Sequence, residues 1–161
     1  MSFSTALTIG IAGCFAVAAA GFLLGRPRRI SHRVAAALGW LWVLGVIGLT
    51  FGTRSGGGQA VNLRLLDGTN PADTKDFLLN VLMFVPGGIV LAVAGTRFAW
   101  AALFGFLGSL VIETTQYLTS SGRTADINDL LANTLGCLAG FACAALVRAG
   151  LGGSGGRARR A

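Results

Sequence analysis

The stretch FAWAALFGFLGSLVIETTQYL, residues 98–118, decides what kind of protein this is. At 1.5 Å per residue a helix over it is about 30 Å long, the thickness of a bilayer's hydrocarbon core. Its only charged residue is Glu113, and Gly105, Ser109, Glu113 and Gln116 follow one another at steps of four, four and three. That spacing sets them on one helical face, small towards one end and polar towards the other. The stretch predicts a membrane-spanning helix with a polar edge.

The same reading extends outward in both directions. Comparable apolar stretches run from Thr5 to Leu24, Val34 to Gly52, Phe77 to Gly95 and Asp129 to Val147. Composition agrees, since 53% of the 161 residues are hydrophobic, only 12% are charged, and the mean hydropathy is +0.70. A soluble helical domain would carry charged outer faces, and a β-barrel would alternate with period two. Neither pattern occurs. The net charge of +7 does not signal a nucleic-acid partner either, because basic binding segments are polar throughout. The expected fold is all-α, a polytopic integral membrane bundle of five transmembrane helices in the cell membrane, with membrane lipids as partners.

Orientation follows from the charges between the helices. Met1 to Thr5 contains no Lys or Arg, so the first stretch lacks the basic start of a signal peptide and reads as a retained helix despite Ala18-Ala19-Ala20. With the N-terminus outside and the C-terminus inside, Arg26, Arg28, Arg29, Arg33, Arg97, Arg148, Arg157, Arg159 and Arg160 are cytoplasmic, nine of the 13 basic residues. Arg54, Arg64, Lys75 and Arg123 fall outside, together with all six acids: Asp67, Asp73, Asp76, Glu113, Asp126 and Asp129. Acids contribute little to topology, so their gathering needs another cause.

Organisation divides into an extra helix and basic loop over residues 1–33, a membrane domain over 34–147, and a flexible basic tail over 148–161. The longest loop, Thr53 to Lys75, is rich in turn residues, with an amphipathic piece at Val61 to Leu66 expected along the membrane surface. Cys14, Cys137 and Cys143 lie within apolar stretches without metal-ligand spacing, and His32 sits in the basic loop, so no metal and no cofactor is expected. The GxxxG pairs Gly21/Gly25 and Gly48/Gly52 suit either packing within the bundle or a homo-oligomer contact.

Two more polar stripes match that of residues 98–118. Asp76, Asn80, Phe84 and Gly88 step by four, and Asp126, Asp129, Asn133, Gly136 and Gly140 step by three and four. Asn80 and Asn133 lie roughly 5 to 6 Å inside their helix ends and Glu113 roughly 7 to 8 Å, which puts the three helices' polar groups at one level. A charge at mid-bilayer costs about 2.5 to 3.5 kcal/mol, so such groups normally face a bundle interior or a wet cavity. The expectation is an outward-opening polar pocket between these helices, floored by Gly88, Gly105, Gly136 and Gly140. Pro86 predicts a kink, with the carbonyl of Leu82 freed towards the polar groups. Arg123 is placed to bridge the carboxylates or hold an anionic headgroup, while Asp126 and Asp129 also suit the capping of a helix start.

At these residues the sequence resembles the VanZ-like family of small bacterial membrane proteins. The motifs are Asn80-x-x-x-Phe84-x-Pro86-x-Gly88, Ser109-x-x-x-Glu113-x-x-Gln116, and Arg123-x-x-Asp126-x-x-Asp129-x-x-x-Asn133-x-x-Gly136-x-x-x-Gly140. The resemblance covers roughly Val34 to Val147 and implies a four-helix membrane domain, in a family named for a protein linked to resistance to the lipoglycopeptide teicoplanin. The chain departs from it by an added first helix and a longer outer loop.

Three functional readings follow. In the first, Asn80, Glu113, Gln116, Arg123, Asp126, Asp129 and Asn133 bind a cell-envelope ligand: a lipid headgroup, a cell-wall precursor or a lipoglycopeptide. In the second, the protein is an intramembrane enzyme, with Glu113 as acid/base and Asp126/Asp129 holding Mg²⁺ or a positive group of a lipid-linked substrate. In the third, the cluster is interhelical glue, at about 0.6 kcal/mol per pair. The convergence of these seven polar residues, three acids and an arginine among them, favours binding, and the missing nucleophile–base pair and metal motifs weigh against catalysis.

Overall fold

Capping residues set where the helices begin and turn. Asn70, in extended conformation, accepts a hydrogen bond on its side chain from the Ala72 N–H at 3.0 Å, and Pro71 occupies the first helical position, where its missing N–H costs nothing. The helix therefore starts at Pro71, six residues before the apolar run at Phe77. At its other end Gly95 adopts φ +77°, and the N–H groups of Gly95 and Thr96 return to the carbonyls of Ala92 and Leu91. This closes the helix in a Schellman motif and turns the chain within four residues into the next.

The computed structural model describes residues 3–24, 29–52, 61–118 and 124–157. Among the described residues there are five helices: α1 (Phe3–Leu23), α2 (Ile30–Gly52), α3 (Pro71–Val93), α4 (Phe98–Leu118) and α5 (Ile127–Arg157). By length and composition α2 to α5 each suffice to cross a membrane. The packing order across the bundle is α1, α2, α3, α5, α4, and the most extensive interface joins α3 to α5.

Glycine makes that interface. A Cβ on Gly88 would land on the Cys137 carbonyl, one on Gly136 on the Val81 carbonyl, and one on Gly140 on the Val85 carbonyl. The two backbones thus touch directly, alternating glycine from one helix against carbonyl from the other. Gly105 brings α4 to the same seam, where a Cβ would meet the Cys137 side chain at 2.9 Å. Beside it, Phe84, Cys137, Ala92, Ala101 and Phe141 form the buried apolar core.

Three expectations are revised. Val61 to Leu66 is tied to the bundle at its start: Val61–Asn62 forms a short strand, β1, paired in parallel with β2 (Ala125–Asp126), in register Val61 to Ala125 and Asn62 to Asp126, while Leu63 and Leu65 stay exposed. The α3 helix is continuous through Pro86, and the acceptor that is taken up near it is Met83 O, bonded by the Trp42 indole N–H of α2 at 2.8 Å. That acceptor faces α2 and not the polar cluster. Finally, α5 runs past Val147 to Arg157, so the basic tail begins as helix, no proline interrupting the ladder.

Charge divides by end. The acids lie where α3 and α5 begin and α4 ends, while Arg29, Arg33, Arg97 and Arg148 lie at the opposite end. There the Arg148 guanidinium donates to the Ala92 carbonyl in the last turn of α3, a cation on the negative end of a helix dipole.

Candidate ligand-binding cleft

The β1–β2 pairing brings two loops together over the ends of three helices, and Asp126 is the hub. Its Oδ2 accepts from Asn62 Nδ2 at 2.9 Å, and its Oδ1 accepts from both the backbone N–H and Nδ2 of Asn128 at 2.8 Å. Its own backbone N–H donates to Glu113 Oε2 at 2.9 Å, tying α4 to the start of α5. Asn128 extends the stitching, with Nδ2 donating to the Arg64 carbonyl and Oδ1 accepting from the Leu66 N–H, both at 2.8 Å. The Arg64 carbonyl and the Leu66 N–H lie in an irregular segment, and the Asp126 and Asn128 N–H groups in a two-residue strand and the first turn of α5, so side chains supply partners that a ladder does not give.

Beneath this layer the bundle carries polar rungs. Asn80 Nδ2 of α3 donates to Asp129 Oδ1 of α5 at 2.6 Å. One helical turn further in, Asn133 Nδ2 donates to Ser109 Oγ of α4 at 2.9 Å. Ser109, Glu113, Gln116 and Asn133 are all buried, none more than 8% exposed.

Above it opens a cleft of about 320 Å³. Its walls carry the carboxylates of Asp67, Asp73, Asp76, Asp126 and Asp129, the amides of Asn62 and Asn128, and the Arg64 side chain, with Leu65, Leu66 and Phe77 as apolar surface. Asp67, in the turn before α3, accepts from the hydroxyl of Thr69 at 2.6 Å and from its backbone N–H at 2.9 Å. These bonds favour the carboxylate and hold its pKa below the ordinary value.

The sequence-derived site is therefore divided between two levels. Asp126 and Asp129 line the cleft, whereas Glu113, Gln116 and Asn133 lie inside the bundle, and Asn80 joins the levels through Asp129. Pro86, Gly88, Gly136 and Gly140 lie on α3 and α5, the glycines along the seam. Arg123 falls outside the described residues. Sequence reasoning missed Asn62, Arg64 and Asn128, whose role depends on a pairing between segments some sixty residues apart. Among the described residues no group of three or more His, Cys, Asp or Glu is arranged to hold a metal ion, and the cysteines are free thiols.

Four long apolar helices, three of them joined by a polar network, define a multi-pass membrane protein. The chain belongs to the VanZ/LLP1 family, whose sequence model matches residues 33–148. The match begins near the start of α2, which leaves α1 before it. Neither the curated proteins nor the solved structures give a match.

Proposed function

We propose that the cleft binds a polar group of a cell-envelope ligand, with the acidic end of the bundle facing outward from the cell membrane. The carrying observation is the cleft itself: five carboxylates from the loop before α3, from α3 and from the start of α5, beside an apolar strip. Such a wall suits an amine- or hydroxyl-bearing group attached to an apolar body. A lipid headgroup, a cell-wall precursor and a lipoglycopeptide each have that form, and binding of the last would contribute to glycopeptide resistance, with Arg123 on the ligand's phosphate or carboxylate. Catalysis by Glu113 has less support, because one of its carboxylate oxygens already holds the Asp126 N–H.

Asp73 and Asp76 provide the test, since they line the cleft and their carboxylates make no hydrogen bond among the described residues. The double variant Asp73→Asn/Asp76→Asn is expected to keep the wild-type melting temperature while weakening binding of teicoplanin or phosphatidylethanolamine roughly tenfold or more, read by titration in nanodiscs. Unchanged affinity for these and for a lipid-linked cell-wall precursor, with unchanged lipoglycopeptide sensitivity of cells, sinks the proposal in favour of structural glue.

A further inference from the structure

Asn133 is 2% exposed on α5, one turn inward from the cleft residue Asp129. Its Nδ2 is used on Ser109, but its Oδ1, fully buried, has no hydrogen-bond partner among the described residues. Interchanging the amide's oxygen and nitrogen does not cure this: Ser109 would then donate to the oxygen, and the NH₂ group would be left over. A buried amide left half-satisfied is destabilising, and native proteins rarely tolerate one without a bound partner.

Direction follows from the packing. Inward of this rung the helices are closed, since a Cβ on Gly105 would meet the Cys137 side chain at 2.9 Å and the Thr134 Cα at 3.1 Å. Outward, on the same faces, Asp129 and Glu113 follow one turn away at i−4 from Asn133 and i+4 from Ser109. A partner for Asn133 therefore arrives from the cleft side.

We propose that Asn133 Oδ1 is the floor of an inner subsite of the cleft that takes one small hydrogen-bond donor between α4 and α5. The donor is a water molecule or the terminal hydroxyl or ammonium group of the ligand seated above. The inference rests on the reading of the cleft as a binding site, and it extends that site about one helical turn, 5 to 6 Å, into the bundle.

The test uses the full chain in lipid nanodiscs, with Cys14, Cys137 and Cys143 changed to Ala. Single cysteines are introduced as Asp129→Cys, Asn133→Cys and Leu135→Cys and treated with 2-aminoethyl methanethiosulfonate, which reacts with thiolates in water. Leu135 is half-exposed on the outer face of α5 and reports the lipid-facing background. Labelling of Asn133→Cys is expected roughly tenfold faster than that of Leu135→Cys, approaching that of Asp129→Cys. Labelling of Asn133→Cys no faster than Leu135→Cys, with Asp129→Cys reactive, overturns the subsite and leaves the cleft reading standing. Silence at both cleft positions overturns the two together. Ser109→Cys, nearly isosteric with serine and facing the same space, gives the same readout should Asn133→Cys fail to fold. Protection of the reactive thiol by glycerophosphoethanolamine assigns the donor to the ligand, and labelling unaffected by it assigns the donor to water.

Discussion

Asp126 concentrates the site's architecture in one side chain. Three hydrogen bonds end on its carboxylate and a fourth leaves its backbone N–H, so β1, β2, α4 and α5 all meet there. Asp126→Ala removes the three accepted bonds, at about 1 kcal/mol each, and leaves Asn62 and Asn128 with donors to satisfy elsewhere. Expected is a loss of about 3 kcal/mol in detergent-solubilised unfolding, with residues 61–66 becoming cleavable by protease while the helical content stays unchanged. Unaltered stability and protection would show that the strand pair is held by other contacts. The sequence marked Asp126 through its place in a polar stripe, but assigned it to a ligand or a cap. Its actual partner, Asn62, was illegible: a two-residue strand has no period, and its mate lies in another loop.

At the scale of elements, α4 was readable to the residue because Arg97 and the polar Thr119 bound a long apolar run whose polar residues keep helical spacing. The start of α3 was misread although its signal was present, since Asn70-Pro71 is both a turn dipeptide and an N-cap followed by proline at the first position. Hydropathy settled the ambiguity wrongly by favouring the apolar run. The glycine stripes were legible as close-approach faces from their steps of four and became a seam once α3 and α5 proved to be neighbours. That seam predicts a contrast between two glycines in helices. Gly140→Ala forces a methyl group against the Val85 carbonyl and is expected to cost roughly 1 to 3 kcal/mol. Gly45→Ala meets nothing within 4 Å and is expected to be neutral or to stabilise by up to about 1 kcal/mol through helix propensity. Thermal denaturation of both proteins in one detergent checks the pair, and equal shifts would refute direct backbone contact along the seam.

For the whole molecule, the family match begins inside the α1–α2 pair, whose interface is more extensive than that between α2 and α3. The match starts at residue 33, and α1 packs chiefly on α2, where Gly13 lies against the Trp40 indole. The cleft, the polar rungs and the seam belong to α3, α4, α5 and the two strands. Deletion of residues 1–29 is therefore expected to leave the helical content of α2 to α5 and ligand binding at the cleft unchanged, and to uncover the face of Trp40 that lies on Gly13. Circular dichroism, tryptophan fluorescence and the nanodisc titration read these three, and loss of binding would show that α1 supports the cleft.

The seam between α3 and α5 also fixes an order of events during synthesis. These helices are partners in space but are separated in the chain by α4, and α5 leaves the ribosome after both α3 and α4. Until it arrives, Asn80 lacks Asp129, Ser109 lacks Asn133, and Glu113 lacks the Asp126 N–H. The nascent protein must hold the Asn80 amide without Asp129 and the Glu113 carboxyl without the Asp126 N–H, in the insertion machinery or at the bilayer surface, until α5 packs. Arrival of α5 thus completes the backbone seam and gives the polar rungs their partners.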